Sequence, residues 1–158
     1  MNKKNNNKGF TLVELIVVLV ILAILAAILV PALLGYIDRA KQQQVVLNAR
    51  SAYTAAQAEL TSRYAKDKDT TKVPTLTADD QLSISDTADI SFETGTTVTC
   101  TIYVKGGSDR GNYTVSGMDY TEGSTTIHFD GKSWDAAAAT GTSIGNVDLT
   151  KRKTKKTE

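Results

Sequence analysis

Apolar and polar positions divide the chain into three stretches. From Phe10 to Ile37 the only charge is Glu14, and the twenty residues Leu15–Leu34 carry no polar side chain. As a helix rising 1.5 Å per residue, that run is about 30 Å long, the thickness of a bilayer's hydrocarbon core. Past Leu34 the pattern changes without stopping. Residues 38–65 are rich in Ala, Gln, Arg and Lys and contain no Gly or Pro. Val45, Ala49, Ala52, Ala56, Leu60 and Tyr64 recur there at spacings of three or four, one apolar stripe. The pattern predicts one helix from about Phe10 to Tyr64, hydrophobic all round over 10–37 and amphipathic over 38–65. Over 66–96 the stripe is lost among Pro74 and several Asp, which predicts a connecting loop with a short turn of helix near 78–82.

The third stretch alternates. Val98, Cys100, Ile102 and Val104 fall on one face of a strand, with Thr97, Thr99, Thr101 and Tyr103 on the other. Residues 106–111 read as a turn, 112–120 as a second strand, 122–124 as a second turn and 125–129 as a third strand. Residues 90–92 are a weaker candidate. The expected fold class is therefore α+β: a long N-terminal helix packed on an antiparallel sheet of three to four strands within 97–135. Residues 136–158 are expected to be a flexible basic tail.

Charge refines this division. The total is +1, yet residues 10–150 hold ten basic and sixteen acidic side chains. Lys3, Lys4 and Lys8 stand before the apolar run, and five Lys or Arg lie in residues 151–158. An acidic body does not suit a nucleic-acid footprint, leaving only the basic tail for contact with DNA, lipid or an anionic wall polymer. The lysines before the run place its N-terminus in the cytoplasm by the positive-inside rule. A secretory signal peptide fits less well. The run is longer than an ordinary h-region, an acid stands at its start, and no Ala-x-Ala site follows.

The single Cys excludes an intramolecular disulfide, and Cys100 reads as a small buried hydrophobe. His128 reads as an outward strand residue, and Trp134 as a cap on the sheet's edge. The aspartates of 66–89 lack EF-hand spacing and read as a solvated loop. Asn112-Tyr113-Thr114 is formally a glycosylation sequon. No nucleophile motif, carboxylate pair, phosphate loop or metal cluster is present. The chain is expected to be no enzyme and to hold no cofactor or metal.

Glu14 needs a separate account. A carboxylate in the hydrocarbon layer costs on the order of 2–3 kcal/mol even on insertion scales and calls for a partner. Lys8-Gly9-Phe10-Thr11-Leu12-Val13-Glu14 closely resembles the cleavage and methylation site of type IV pilins and their pseudopilin relatives. The resemblance is strong over residues 1 to about 40. It implies a leader, residues 1–9, removed by a prepilin peptidase that cuts after Gly9 and methylates the new amine of Phe10. Glu14 is then the fifth mature residue, where the family has its glutamate, and Pro31 the twenty-second, where many pilins have proline. The new amine would pair with Glu14 of a neighbouring copy and set the register of assembly. Capping of the helix N-terminus is the other reading of Glu14. At Pro31 and Gly35 the helix is expected either to bend or unwind, or only to kink at its surface.

The resemblance further implies partners and a location. The chain would wait in the cytoplasmic membrane as a single-pass protein. It would then polymerise with itself into a surface filament, helped by an assembly platform and ATPase. A pseudopilin of a type II-like secretion or DNA-uptake machine is the alternative. Many Gram-negative pilins close a C-terminal loop with two Cys. This chain has one, which points to a Gram-positive type of major pilin.

Overall fold

A computed structural model describes residues 9–134 and 137–152. The first element, α1, runs from Leu12 to Lys66 as one 55-residue helix through Pro31. The chain forms two compact units, residues 1–42 and 43–158.

The first unit is the apolar part of α1. Its large side chains are exposed throughout, from Leu12 and Val13 to Leu34 and Ile37. Among the described residues, α1 is the helix long and apolar enough to cross a membrane. Pro31 has no N–H to give the carbonyl of Ala27, but the following residues stay helical.

The second unit is built on the other half of α1. Ala49, Ala52, Ala56 and Leu60 are completely buried, with Ala55 beside them, and Val45 packs half-buried against the cluster. Tyr64, the last residue of the expected stripe, is 38% exposed and meets Tyr113 edge-on. Small side chains here let a sheet approach the helix closely. That sheet has four antiparallel strands in the order β3-β2-β1-β4. They are β1 (Val98–Val104), β2 (Val115–Glu122), β3 (Thr125–Phe129) and β4 (Thr142–Asp148). Strand β1 alternates as its sequence predicts: Val98, Cys100, Ile102 and Val104 are fully buried, and the residues between them are half-buried.

Strand β4 corrects the reading of 97–135 as the whole sheet and 136–158 as a flexible tail. Its apolar residues Ile144 and Val147 stand three apart, so a period-two reading misses them. A bulge reconciles the spacing. Ile102 pairs with Gly145 and Tyr103 with Ser143, leaving Ile144 as the extra residue beside Gly145, whose φ is 150°. Both Ile144 and Val147 then point inward, and Leu149 follows them into the core. Of the tail, residue 136 and residues 153–158 lie outside the described residues.

The loop 66–96 is also corrected. It contains α2 (Ala78–Ala88), longer than the short turn expected. Thr77 and Asp80 close a capping box at its start, and Ile84, Ser85 and Ala88 are buried. Nine of its eleven residues are Asp, Gln, Ser, Thr or short Ala, so composition alone hides it. Residues 90–92 form no strand, although Ile90 is buried. The expected turn at 106–111 holds a short helix, α3 (Asp109–Asn112), and the second strand begins at Val115 rather than Asn112. Gly117 on β2 is required by a close approach. A Cβ there would lie 2.6 Å from the carbonyl oxygen of Thr140.

Two polar side chains of α1 tie the helix to the sheet. Gln57 accepts from the N–H of Val115 (2.9 Å) and donates to the carbonyl of Tyr113 (3.1 Å), matching both backbone groups at the start of β2. Asn48, 5% exposed, donates to Glu122 (2.9 Å) and to the carbonyl of Ser91 (3.3 Å). Glu122 also accepts from the Tyr120 hydroxyl at 2.7 Å.

The tyrosines make the domain sensitive to alkali. Burial, with the Asp67 carboxylate accepting from its hydroxyl, pushes Tyr113 up to about 12, and burial with Glu122 raises Tyr120 further. An unfolded tyrosine titrates near 10. The native state therefore holds these protons more tightly, so stability is fully present below about pH 10 and falls as pH rises through 12. Thermal midpoints measured by circular dichroism from pH 8 to 12 should fall above pH 10. The fall should be shallower in a Tyr113→Phe, Tyr120→Phe double variant.

Candidate functional site

Gly9, Phe10 and Thr11 lead into the first turn of α1. All three are exposed, Phe10 by 84%. Among the described residues, no atom lies within 4 Å of where a Cβ on Gly9 would stand, and its φ is not in the left-handed region. The described residues thus make no demand for glycine at this position. Lys3, Lys4 and Lys8 lie outside the described residues.

Glu14 turns back on Thr11. Its Oε2 accepts from the N–H of Thr11 (2.8 Å) and from its hydroxyl (2.7 Å), while the Thr11 hydroxyl accepts from the N–H of Glu14 at 3.3 Å. This is a reciprocal capping box, which satisfies two donors at the helix start and sets an acid at its positive end. The capping reading of Glu14 is therefore realised in the single chain. Thr11 is the residue that the sequence reading passed over, although Thr-x-x-Glu before an apolar run is the signal for it. Among the described residues, Oε1 of Glu14 has no hydrogen-bond partner. The carboxylate is held in place with one oxygen open to a donor from outside the chain.

Pro31 lies 17 residues beyond Glu14 on the same helix, so the structure does not bring the two together. With Ala32, Gly35, Tyr36 and Arg39 it lines a shallow hollow on α1. A Cβ on Gly35 would meet nothing within 4 Å.

The other singled-out residues have local roles. Cys100 is fully buried, and burial pushes its thiol up to about 12, far from a reactive thiolate. His128 points to the outer face of the sheet, where its Nδ1 lies 2.7 Å from Asp119. Asp119 also accepts from the Tyr103 hydroxyl (2.8 Å). Trp134 stacks on Phe129 at 4.5 Å and meets Tyr53 edge-on. Asn112 is 2% exposed and donates to the carbonyl of Thr70, which removes it as a glycan acceptor in the folded chain. Asp69 accepts from Thr71, whose hydroxyl holds the carboxyl below its usual range, and Asp80 serves the α2 capping box and Arg63.

Residues 4–30 match the family described as the prokaryotic N-terminal methylation motif, the signature of type IV pilins and pseudopilins. The matched span includes Gly9, Phe10 and Glu14 and ends one residue before Pro31. No curated protein and no solved structure matches the chain. A prepilin methylation motif on an exposed apolar helix fits a membrane-anchored protein that later forms surface filaments. The motif implies self-assembly and processing by a prepilin peptidase.

Proposed function

We propose that the chain is the structural subunit of a type IV pilus-like filament. The observation that carries the reading is the methylation motif at residues 4–30, set on a helix whose apolar side chains are exposed from Leu12 to Ile37. A helix of this kind is soluble only in lipid or among its own copies. It serves first as anchor and then as filament core. The lysines of the leader keep the N-terminus in the cytoplasm and leave residues 43–158 outside. The long helix and Thr-rich strands suit a major subunit, and polymerisation uses an assembly platform and ATPase.

Processing follows from the same residues. The peptidase cuts between Gly9 and Phe10 and methylates the new amine. Glycine at residue 9, undemanded by the packing of the described residues, supports a requirement set by an enzyme. Cleavage places a cation at the tip of an apolar helix. Glu14 of an adjacent copy is its counter-ion, with the open Oε1 as acceptor, in surroundings of low dielectric constant where such pairing is strong.

Intact-mass analysis of sheared filaments tests this. The mass should equal residues 10–158 plus one methyl group, and the first fragment ion should be N-methylated phenylalanine. A filament subunit that retains Met1, or one cleaved beyond Leu34, overturns the reading.

A further inference from the structure

On the side of α1 turned away from the sheet, Leu47 is 55% exposed and borders a groove of about 400 Å³ between α1 and the C-terminal end of α2. Small side chains line most of it, among them Ser51, Ala55, Ala58 and Ala88. The lining carries one charge, the exposed Arg50, which has no ion pair among the described residues. The α2 side of the groove is firmly held. Ser85 donates to the carbonyl of Leu149 at 2.9 Å, and the Arg152 guanidinium donates to the carbonyls of Ser85 and Ile90. Arg152 thereby serves the end of a helix whose own last turn has no basic residue.

We propose that this groove receives the apolar helix of a second copy, with Leu34 and Ile37 seated against the small side chains and Asp38 on Arg50. The inference rests on the filament reading above. Charge complementarity selects the segment. Asp38 is the acid that ends the apolar run, and it too is exposed without an ion pair among the described residues. Residues 34, 37 and 38 share one helix face by their spacing, so one approach delivers two apolar side chains and the carboxylate together. The contact joins different surfaces of the two copies. Each copy then offers one helix and one groove, which propagates an open chain rather than closing a dimer.

The test is charge exchange in cells expressing the full chain, read as sheared filament per cell with membrane level and the Phe10 terminus as controls. Asp38→Arg and Arg50→Asp should each lower filament yield at least tenfold while the chain is still inserted and cleaved. The double variant should recover to within twofold of the parent, and Arg50→Lys should assemble like the parent. Singles that assemble normally overturn the docking. So does a double variant no better than Arg50→Asp, which would assign the groove to another occupant. A parent chain that is processed but never leaves the membrane overturns the filament reading and the docking together.

Discussion

Glu14→Gln should assemble as poorly as Glu14→Ala, at least tenfold below the parent, although only the alanine variant loses the capping box. The capping role of Glu14 and its proposed pairing separate at this point. A glutamine carbonyl can still accept from the Thr11 N–H and hydroxyl, which the carboxylate does at 2.8 and 2.7 Å. Losing a cap costs about 0.5–2 kcal/mol of helix stability, modest for a helix of 55 residues. On the proposed pairing, losing the charge leaves the methylated amine of a neighbour unpaired where water is excluded, a defect typically of about 3–5 kcal/mol for a broken buried pair. Repeated at every subunit contact, that defect should prevent or disorder assembly. Membrane insertion should be unharmed in both variants, since each removes an acid from the hydrocarbon layer. Filament yield by shearing and immunoblot, beside total membrane subunit, gives the measurement. Normal filaments from Glu14→Gln would reduce Glu14 to a cap.

How much of this was legible in the sequence depends on the kind of signal. The long helix was legible end to end, because an unbroken apolar run followed by a three-four stripe has no competing period. Strand β1 was equally clear, with four inward residues at strict alternation. Strand β4 was not, since a bulge at Gly145 sets its inward residues three apart and a period of two cannot see it. Helix α2 was hidden for a different reason. Its eleven residues present only Ile84, Ser85 and Ala88 to the core, and its far end is closed by Arg152, 63 residues past Asp89. Long-range partners such as these leave no local trace.

The candidate site shows the same division. The motif that contains Gly9, Phe10 and Glu14 was readable because a fixed local spacing carries it, and the match over residues 4–30 covers all three. Thr11 was readable in principle, as the first member of a capping box, but its significance depends on a hydrogen bond that only geometry shows. Asn48 and Gln57 flank the apolar stripe of α1 without announcing a role. Each bonds groups more than forty residues away. Polar residues beside an apolar stripe are thus where a sequence reading is least informative, and here they fix how the helix lies on the sheet.

The helix–sheet contact should survive without the membrane half of α1. A chain starting near Asp38 keeps residues 43–158, which form a compact unit by themselves, and should unfold in one cooperative transition. Within it, Ile102→Ala should cost about 2–5 kcal/mol, because Ile102 is fully buried and the rigid neighbours cannot close the space it leaves. Ala52→Leu should cost about 1–3 kcal/mol by overpacking, since Ala52 has no exposed surface and faces a close-packed sheet. Thr99→Ala, on the outer face of the same strand as Ile102, should stay within about 0.5 kcal/mol. Thermal unfolding followed by circular dichroism ranks the three. Similar losses at Thr99 and Ile102 would show that the core does not lie on the inner face of β1. A truncated chain without a cooperative transition would show that the domain depends on its neighbours in the filament. The motif at residues 4–30 would stand in either case, since it and the proposed cleavage between Gly9 and Phe10 lie outside the sheet.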